Sequence, residues 1–377
     1  MNSFLDNVKG FFGKVKKFFS ELNEKINPRF RGEDFKIFKR AYWWYIAPLA
    51  ILFVSLLCGT IYAASSRYDG FANVGVDFRG GTVLSVEMLG QDMTGSNYRN
   101  NLTMIEDIVK SHGATPVSPR TNGQNAIEVR YANSINGTSY NNDAETMAQI
   151  NDKIKADIEA KFKSVYGTTT AVSADVESIT ATASSQALRS AFLAVFVALL
   201  LMLVYIVVRF DLFSGIATIA ALMHDVIIMM ALVIIFRIQI NTSLIAGIIT
   251  VIAYSINSNI ILFDKVRENI KPFKTQKTKY DVGLIVDQSV TQTFTRMVFT
   301  SFTTLIMLFV LAVVGIAQLT EFALPIIFGL LAGFYSSIGI APGLWGILIN
   351  ANRKYKAKKM LQPSSDDKAK NKKTAKA

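Results

Sequence analysis

The feature that most constrains this chain is a set of apolar runs, each about as long as a helix must be to cross a hydrocarbon core, roughly 20 residues. Five are uninterrupted, at about 45–64, 191–208, 212–236, 242–263 and 297–314. A sixth, 322–349, stays apolar although Pro325 and Pro342 interrupt it. With 51% hydrophobic residues the chain is too oily for an ordinary soluble domain, and its 18% charged residues must lie in segments between the runs. The expected architecture is a polytopic α-helical membrane protein with six transmembrane helices.

Lysine and arginine concentrate on the cytoplasmic side of a span. Here they crowd three segments: 1–44, the connection 264–296 and the tail 350–377. With six spans all three fall on one side, so both termini are expected in the cytoplasm and 65–188 outside. The net charge of +12 is then membrane anchoring, and no nucleic-acid partner is implied. Residues 4–22 place Phe4, Val8, Phe11, Phe12, Val15, Phe18, Phe19 and Leu22 at helical spacing, which suits an amphipathic helix at the membrane surface or one packed on a partner. The long charged lead before 45–64 is unlike the short start of a signal peptide, so that span is expected to stay attached. Cys58 stands alone and cannot form an intrachain disulfide.

The division expected is 1–44 cytoplasmic, 45–64 first span, 65–188 outer domain, 189–349 five-helix membrane region with the loop 264–296, and 350–377 basic tail. Within 65–188, Gly80-Gly81 marks a turn before an alternating strand through Met88. Helical pattern follows at 97–112, two short strands flank Thr121-Asn122-Gly123, 143–163 is helical, and 171–180 alternates again. The order β-α-β-β-α-β is the ferredoxin-like arrangement. No catalytic set, metal-ligand spacing or GxxxxGK[ST] phosphate loop occurs, so neither an enzyme nor a cofactor or metal is expected. His112, a lone imidazole near a helix end, reads as a cap or an exposed residue.

Polar residues inside the runs are the candidates for function, because an ionisable side chain in hydrocarbon must be paired or wetted. Asp225 lies about thirteen residues into the third run, roughly 20 Å deep in a core of about 30 Å. Ser214, Thr218 and Ala221 share its face, and His224 adjoins it about a quarter-turn away. A proton path and a buried pair that joins helices both fit. In the fourth run Ser243, Gly247, Thr250, Tyr254 and Asn257 fall along one side, with Ser258 beside them; Asn257, Ser258 and Asn259 bind water or bridge helices but cannot themselves carry a proton. Arg296 and Thr300 open the fifth run. Gly329, Gly333 and Ser337, at i, i+4, i+8, permit close helix packing in the sixth.

Five stretches together carry a resemblance to one family. "VDFRGGT" (76–82, with Asp77, Gly80, Gly81 and Thr82), "ALMHDVIIM" (221–229), "AYSINSNIILFDKVREN" (253–269), "RMVFTSFTT" (296–304) and "GFYSSIGIAPGL" (333–344) resemble, in order, the motifs of the SecF family. SecF proteins are membrane subunits of SecDF, the accessory complex of the bacterial preprotein translocase, and are related to the resistance-nodulation-division transporters. The resemblance implies six spans with an outer ferredoxin-like domain in the bacterial plasma membrane. It also implies SecD and the SecYEG channel as partners, a translocating preprotein as cargo, and a link to the proton gradient. Two positions depart from the family pattern. The fourth motif is usually GYSxNDTxVxFDRxREN, so Ser258 stands where an aspartate associated with proton coupling is usual, and Asn259 replaces a threonine. Phe299 stands where an asparagine is usual. A serine hydroxyl does not cycle protonation near neutral pH. Three readings remain: SecD supplies the acid and this chain the polar lining, Asp225 takes over, or the chain is a scaffold without coupling. A small-molecule or lipid exporter of the wider superfamily is the more distant alternative.

Overall fold

The structure is a computed structural model that describes residues 37–361 apart from 66–69, 89–92, 94, 96, 123–125, 141–142, 168–170, 180, 277 and 314–316. The amphipathic helix expected over 4–22 and the tail beyond 361 lie outside the described residues. A 3-10 turn over Ala41–Tyr45 leads into α1 (Ile46–Ala64), and the single turn α2 (Val76–Arg79) precedes β1 (Gly81–Met88). Then come α3 (Tyr98–Ser111), β2 (Ala114–Asn122), β3 (Ala126–Ile135), the two-residue β4 (Thr138–Ser139), α4 (Ala144–Tyr166) and β5 (Val172–Ile179). The rest is helical: α5 (Ala181–Arg209), α6 (Leu212–Ile235), α7 (Thr242–Thr275), α8 (Val282–Val313), α9 (Ala317–Tyr335), a π-turn over Ser336–Ile340, and α10 (Ala341–Leu361).

Among the described residues, six helical stretches are long and apolar enough to cross a membrane. Their lengths differ from the apolar runs. α7 does not stop at 263 but carries Asp264, Lys265, Arg267 and Glu268 on to Thr275, and α8 starts at Val282 instead of 297. The segment expected as a loop over 264–296 is therefore two helix ends joined at 276–281. Hydropathy falls where lipid would end, yet Lys, Arg, Glu and Gln are good helix formers. Both extensions also keep an apolar stripe to bury, with Val266 and Ile270 packing against Val282, Ile285, Val286 and Val290. Arg209 reaches Asp264 across α5 and α7 at 3.5 Å. In the same way α5 begins at Ala181, ahead of the boundary expected at 189, and α10 runs past 350 to Leu361. The π-turn lies immediately before Pro342, whose missing amide breaks the i→i−4 ladder there.

The strands form an antiparallel sheet ordered β2-β3-β1-β5, with β4 paired to β3. Alternate residues of β1 and β3, Leu84, Val86, Met88, Ile127, Val129 and Tyr131, meet Ile105 and Val109 of α3 and Ile154, Ile158 and Phe162 of α4 in one core. The connection from α1 into this domain is tied to the α6–α7 turn. Val74 bridges Ile240, Gly75 N donates to Ile240 O at 2.8 Å, and Ile240 N returns to Asn73 O at 2.8 Å. Arg237 ends α6 at φ 57°, a left-handed conformation that a non-glycine residue adopts at a cost. Its guanidinium offsets this by donating to Gly70 O at 2.9 Å and lying 4.9 Å from the Tyr62 ring.

In the bundle, α6, α7 and α9 form the interior and pack on one another. α1 and α5 instead present large apolar residues outward, among them Phe53, Leu57, Phe192, Phe196 and Leu201. That division puts Ser214, Thr218 and Asp225 of α6 and Ser255, Ser258 and Asn259 of α7 where protein, not lipid, surrounds them.

Candidate functional site

Asp225 is fully buried at the centre of α6. Ser255 of α7 donates its hydroxyl to Oδ2 at 2.5 Å. Nδ1 of the neighbouring His224 lies 3.0 Å from Oδ1, a geometry that puts a proton on Nδ1 whenever the carboxyl is ionised. Ser336, in the π-turn, also stands within hydrogen-bonding reach of the carboxyl and donates to Gly333 O at 3.2 Å. The His224 ring thus folds back onto Asp225 rather than pointing a quarter-turn away, and it stacks beside Tyr335 at 6.4 Å between centroids. Three helices converge on one carboxyl because small residues let them approach. Ser214, Thr218 and Ala221, the face expected to accompany Asp225, are all buried.

The approach of α9 to α7 follows a ridge. A Cβ on Gly247 would lie 3.3 Å from Ile326, one on Gly329 would collide with Val251, and one on Gly333 would lie 3.2 Å from Ser255 and 3.4 Å from Oδ2 of Asp225. Gly329 and Gly333 are therefore close-packing residues, and Gly333 also forms the floor of the Asp225–Ser255 contact.

The other candidates divide. Ser258 and Asn259 are buried, whereas Asn257 and Arg296 are exposed. Ser243, Thr250 and Asn257 form an outward row on α7, with Ala246 and Ala253 exposed beside it. The one-sided stripe expected in this span thus divides: Ser243, Thr250 and Asn257 face outward, while Gly247 is buried against Ile326 and Tyr254 is half-buried. Thr300 returns its hydroxyl to Arg296 O at 2.7 Å, within its own helix. Tyr254 bridges to Ser301 of α8 at 3.2 Å. Both amide atoms of Asn259 and the hydroxyl of Ser337 are buried without a hydrogen-bond partner among the described residues. Ser255 and Ser336, which hold Asp225, were not singled out by the sequence; the signal was Ser255's i, i+4 spacing from Val251.

The glycine-rich stretch plays two structural parts. Asp77 Oδ2 accepts from Thr242 N at 2.9 Å and from Thr242 Oγ1 at 2.7 Å, capping α7 from 165 residues away. Gly80 and Gly81, at φ 74° and 144°, turn the chain from α2 into β1. Thr82 is buried and donates to Asn133 Oδ1 at 2.8 Å, while Asn133 donates to Ile179 O at 3.1 Å, which ties β1, β3 and β5 together. His112 ends α3 and lies 2.8 Å from Asp157.

Residues 157–351 match the family model described as protein export membrane protein SecD/SecF, C-terminal, which covers more than half the chain. The chain belongs to the SecD/SecF family. The SecF protein of Borreliella burgdorferi is 31% identical over 313 residues, covering 82% of this chain and 95% of that protein. SecDF of Bacillus subtilis is 28% identical over 344 residues, 90% of this chain but 42% of that protein. The crystal structure of SecDF from Thermus thermophilus superposes with a TM-score of 0.63 at 25% identity, covering 84% of this chain and 39% of that one. This SecD/SecF-family chain therefore spans about two fifths of the SecDF proteins it matches and nearly all of the Borreliella SecF.

Proposed function

We propose that this chain is a SecF-type subunit of the protein-export machinery in the bacterial plasma membrane. It works with SecD beside the SecYEG channel on a preprotein in transit. Both termini are cytoplasmic, and the sheet domain, ferredoxin-like in its β2-β3-β1-β5 order, lies outside. With serine at 258, the acid that exchanges protons with the gradient belongs to SecD, and this chain supplies polar lining through Asn257 and Arg296.

One observation carries this reading. The row Ser243, Thr250 and Asn257, with Ala246 and Ala253, is small and polar, lies on an apolar span and is left exposed among the described residues. Lipid offers such a face no hydrogen bonds, and small residues at this spacing suit a close second helix. The test replaces Thr250 and Asn257 together by leucine. Loss of most SecD from the purified complex, together with slowed preprotein export, is expected; full retention of both would refute the assignment. The scaffold reading without proton coupling draws on a different observation, the fixing of Asp225 by Ser255, His224 and Ser336.

A further inference from the structure

We infer that Asn259 and Ser337 enclose an internal water site that continues the Asp225 seam by one helical turn. The placement follows from the ridge between α7 and α9. Successive contacts pair Gly247 with Ile326, Val251 with Gly329, and Ser255 with Gly333. Both helices advance in the same direction along this ridge, and the next step of four brings Asn259 of α7 to Ser337 of the π-turn. That turn packs on both α7 and α6.

The rotation of the side chains agrees with this. Ser336 faces Asp225 on α6, and Gly339, three residues on, faces Trp44, which packs on Tyr335. Ser337, one residue past Ser336, turns from the α6 side toward α7. Counting back along α6 from the Asp225–Ser255 contact brings Ala217, Thr218 and Ala221 toward the level of Asn259, and all three are buried and small enough to leave room. Thr218 already donates to Ser214 O at 2.9 Å and retains lone pairs.

The chemistry then requires an occupant. Asn259 and Ser337 are both 0% exposed, and Oδ1 and Nδ2 of the one and Oγ of the other have no partner among the described residues. A buried carboxamide with both ends unsatisfied is among the costliest arrangements a core can hold, and native structures satisfy such groups with protein or with ordered water. An internal water typically takes about three hydrogen bonds from groups of this kind. Asn259 Oδ1, Asn259 Nδ2 and Ser337 Oγ supply that number. The site rests on burial and helix register, and it stands whether or not the chain works in protein export.

A double-mutant cycle tests it. Asn259→Leu, Ser337→Ala and the double variant are purified in detergent, and their thermal unfolding is compared with that of the parent. A shared water predicts that each single change lowers Tm and that the double change lowers it by no more than the worse single. If the pocket is dry, Asn259→Leu removes an unsatisfied amide and raises Tm; if the two groups are unrelated, their effects add. Either outcome overturns the site. Should a variant fail to accumulate, a high-resolution map of the unaltered protein in lipid decides: solvent density within hydrogen-bonding distance of both Asn259 and Ser337 supports the site, and direct side-chain packing with none refutes it.

Discussion

Ser255 on α7 donates to Asp225 on α6 at 2.5 Å, directly over Gly333 of α9, so a buried carboxyl is the joint at which three helices meet. Asp225→Ala strands the Ser255 hydroxyl and the His224 ring and is expected to cost about 3 kcal/mol, while Ser255→Ala costs about 1–2 kcal/mol. Asp225→Asn keeps an acceptor for Ser255 and is milder than alanine. Thermal unfolding in detergent ranks the three. Assembly with SecD and export are both expected to survive Asp225→Asn, as fits a structural joint in a chain whose titrating acid lies in SecD; export weakened several-fold with the complex intact would instead give this carboxyl a part in coupling.

Gly329 and Gly333 are one turn apart yet differ in what an added methyl meets. At 329 it runs into Val251, whose branched Cβ is itself 3.0 Å away and cannot swing aside. Gly329→Ala is expected to destabilise by about 1–3 kcal/mol through overpacking. At 333 the nearest atoms stand at 3.2 and 3.4 Å, and the gain of about 1 kcal/mol in helix propensity opposes the strain. Gly333→Ala should therefore shift Tm little, and Gly333→Leu should disrupt the joint. Equal losses from both alanine variants would contradict this.

Asp77 caps α7 through Thr242 although the two are far apart in sequence. Asp77→Ala is expected to cost about 1 kcal/mol, and Asp77→Asn less, because an amide oxygen still accepts. Hydrogen exchange read at Ile240 to Leu244 should rise selectively in the alanine variant. Exchange unchanged there would mean that Asn241, which bonds Leu244 N at 3.1 Å, suffices alone.

These contacts show what the sequence could reveal. Apolar runs of bilayer length are a one-dimensional signal, so the six spans were legible, and so was the strand and helix order of the sheet domain. Asp225 was legible because a carboxyl deep in such a run has few alternatives. Its partner Ser255 was not, since Ser243 and Ser258 lie on the same helix and only the crossing of α7 with α6 and α9 selects one. The outward turn of Asn257 and Arg296 was hidden for a related reason: a polar residue in a span signals protein contact but not whose. The α7 and α8 extensions were missed because hydropathy marks the end of lipid and says nothing about the end of a hydrogen-bond ladder. Asp77 resembles a family signature in the sequence, yet its work as a helix cap depends on a contact across 165 residues.

A final prediction concerns pH and the sheet domain. Tyr131 is buried at the centre of β3 and donates its hydroxyl to Asn151 Oδ1 at 2.9 Å. Burial raises its phenol well above the usual 10.0, opposed weakly by a hydrogen bond with Thr82. A group whose folded value is raised contributes its stability in full below the unfolded value. As pH climbs past about 10 the unfolded chain releases the proton first, so this contribution declines and is lost as pH passes through the folded value. Tyr131→Phe removes the titrating group but strands Asn151, which is 4% exposed, at a cost of about 1–2 kcal/mol near neutral pH. Melting curves of the full chain should thus show the parent ahead of Tyr131→Phe at about pH 8 and the two converging toward about pH 11. A constant gap across that range would mean that the Tyr131 phenol ionises as readily in the fold as outside it.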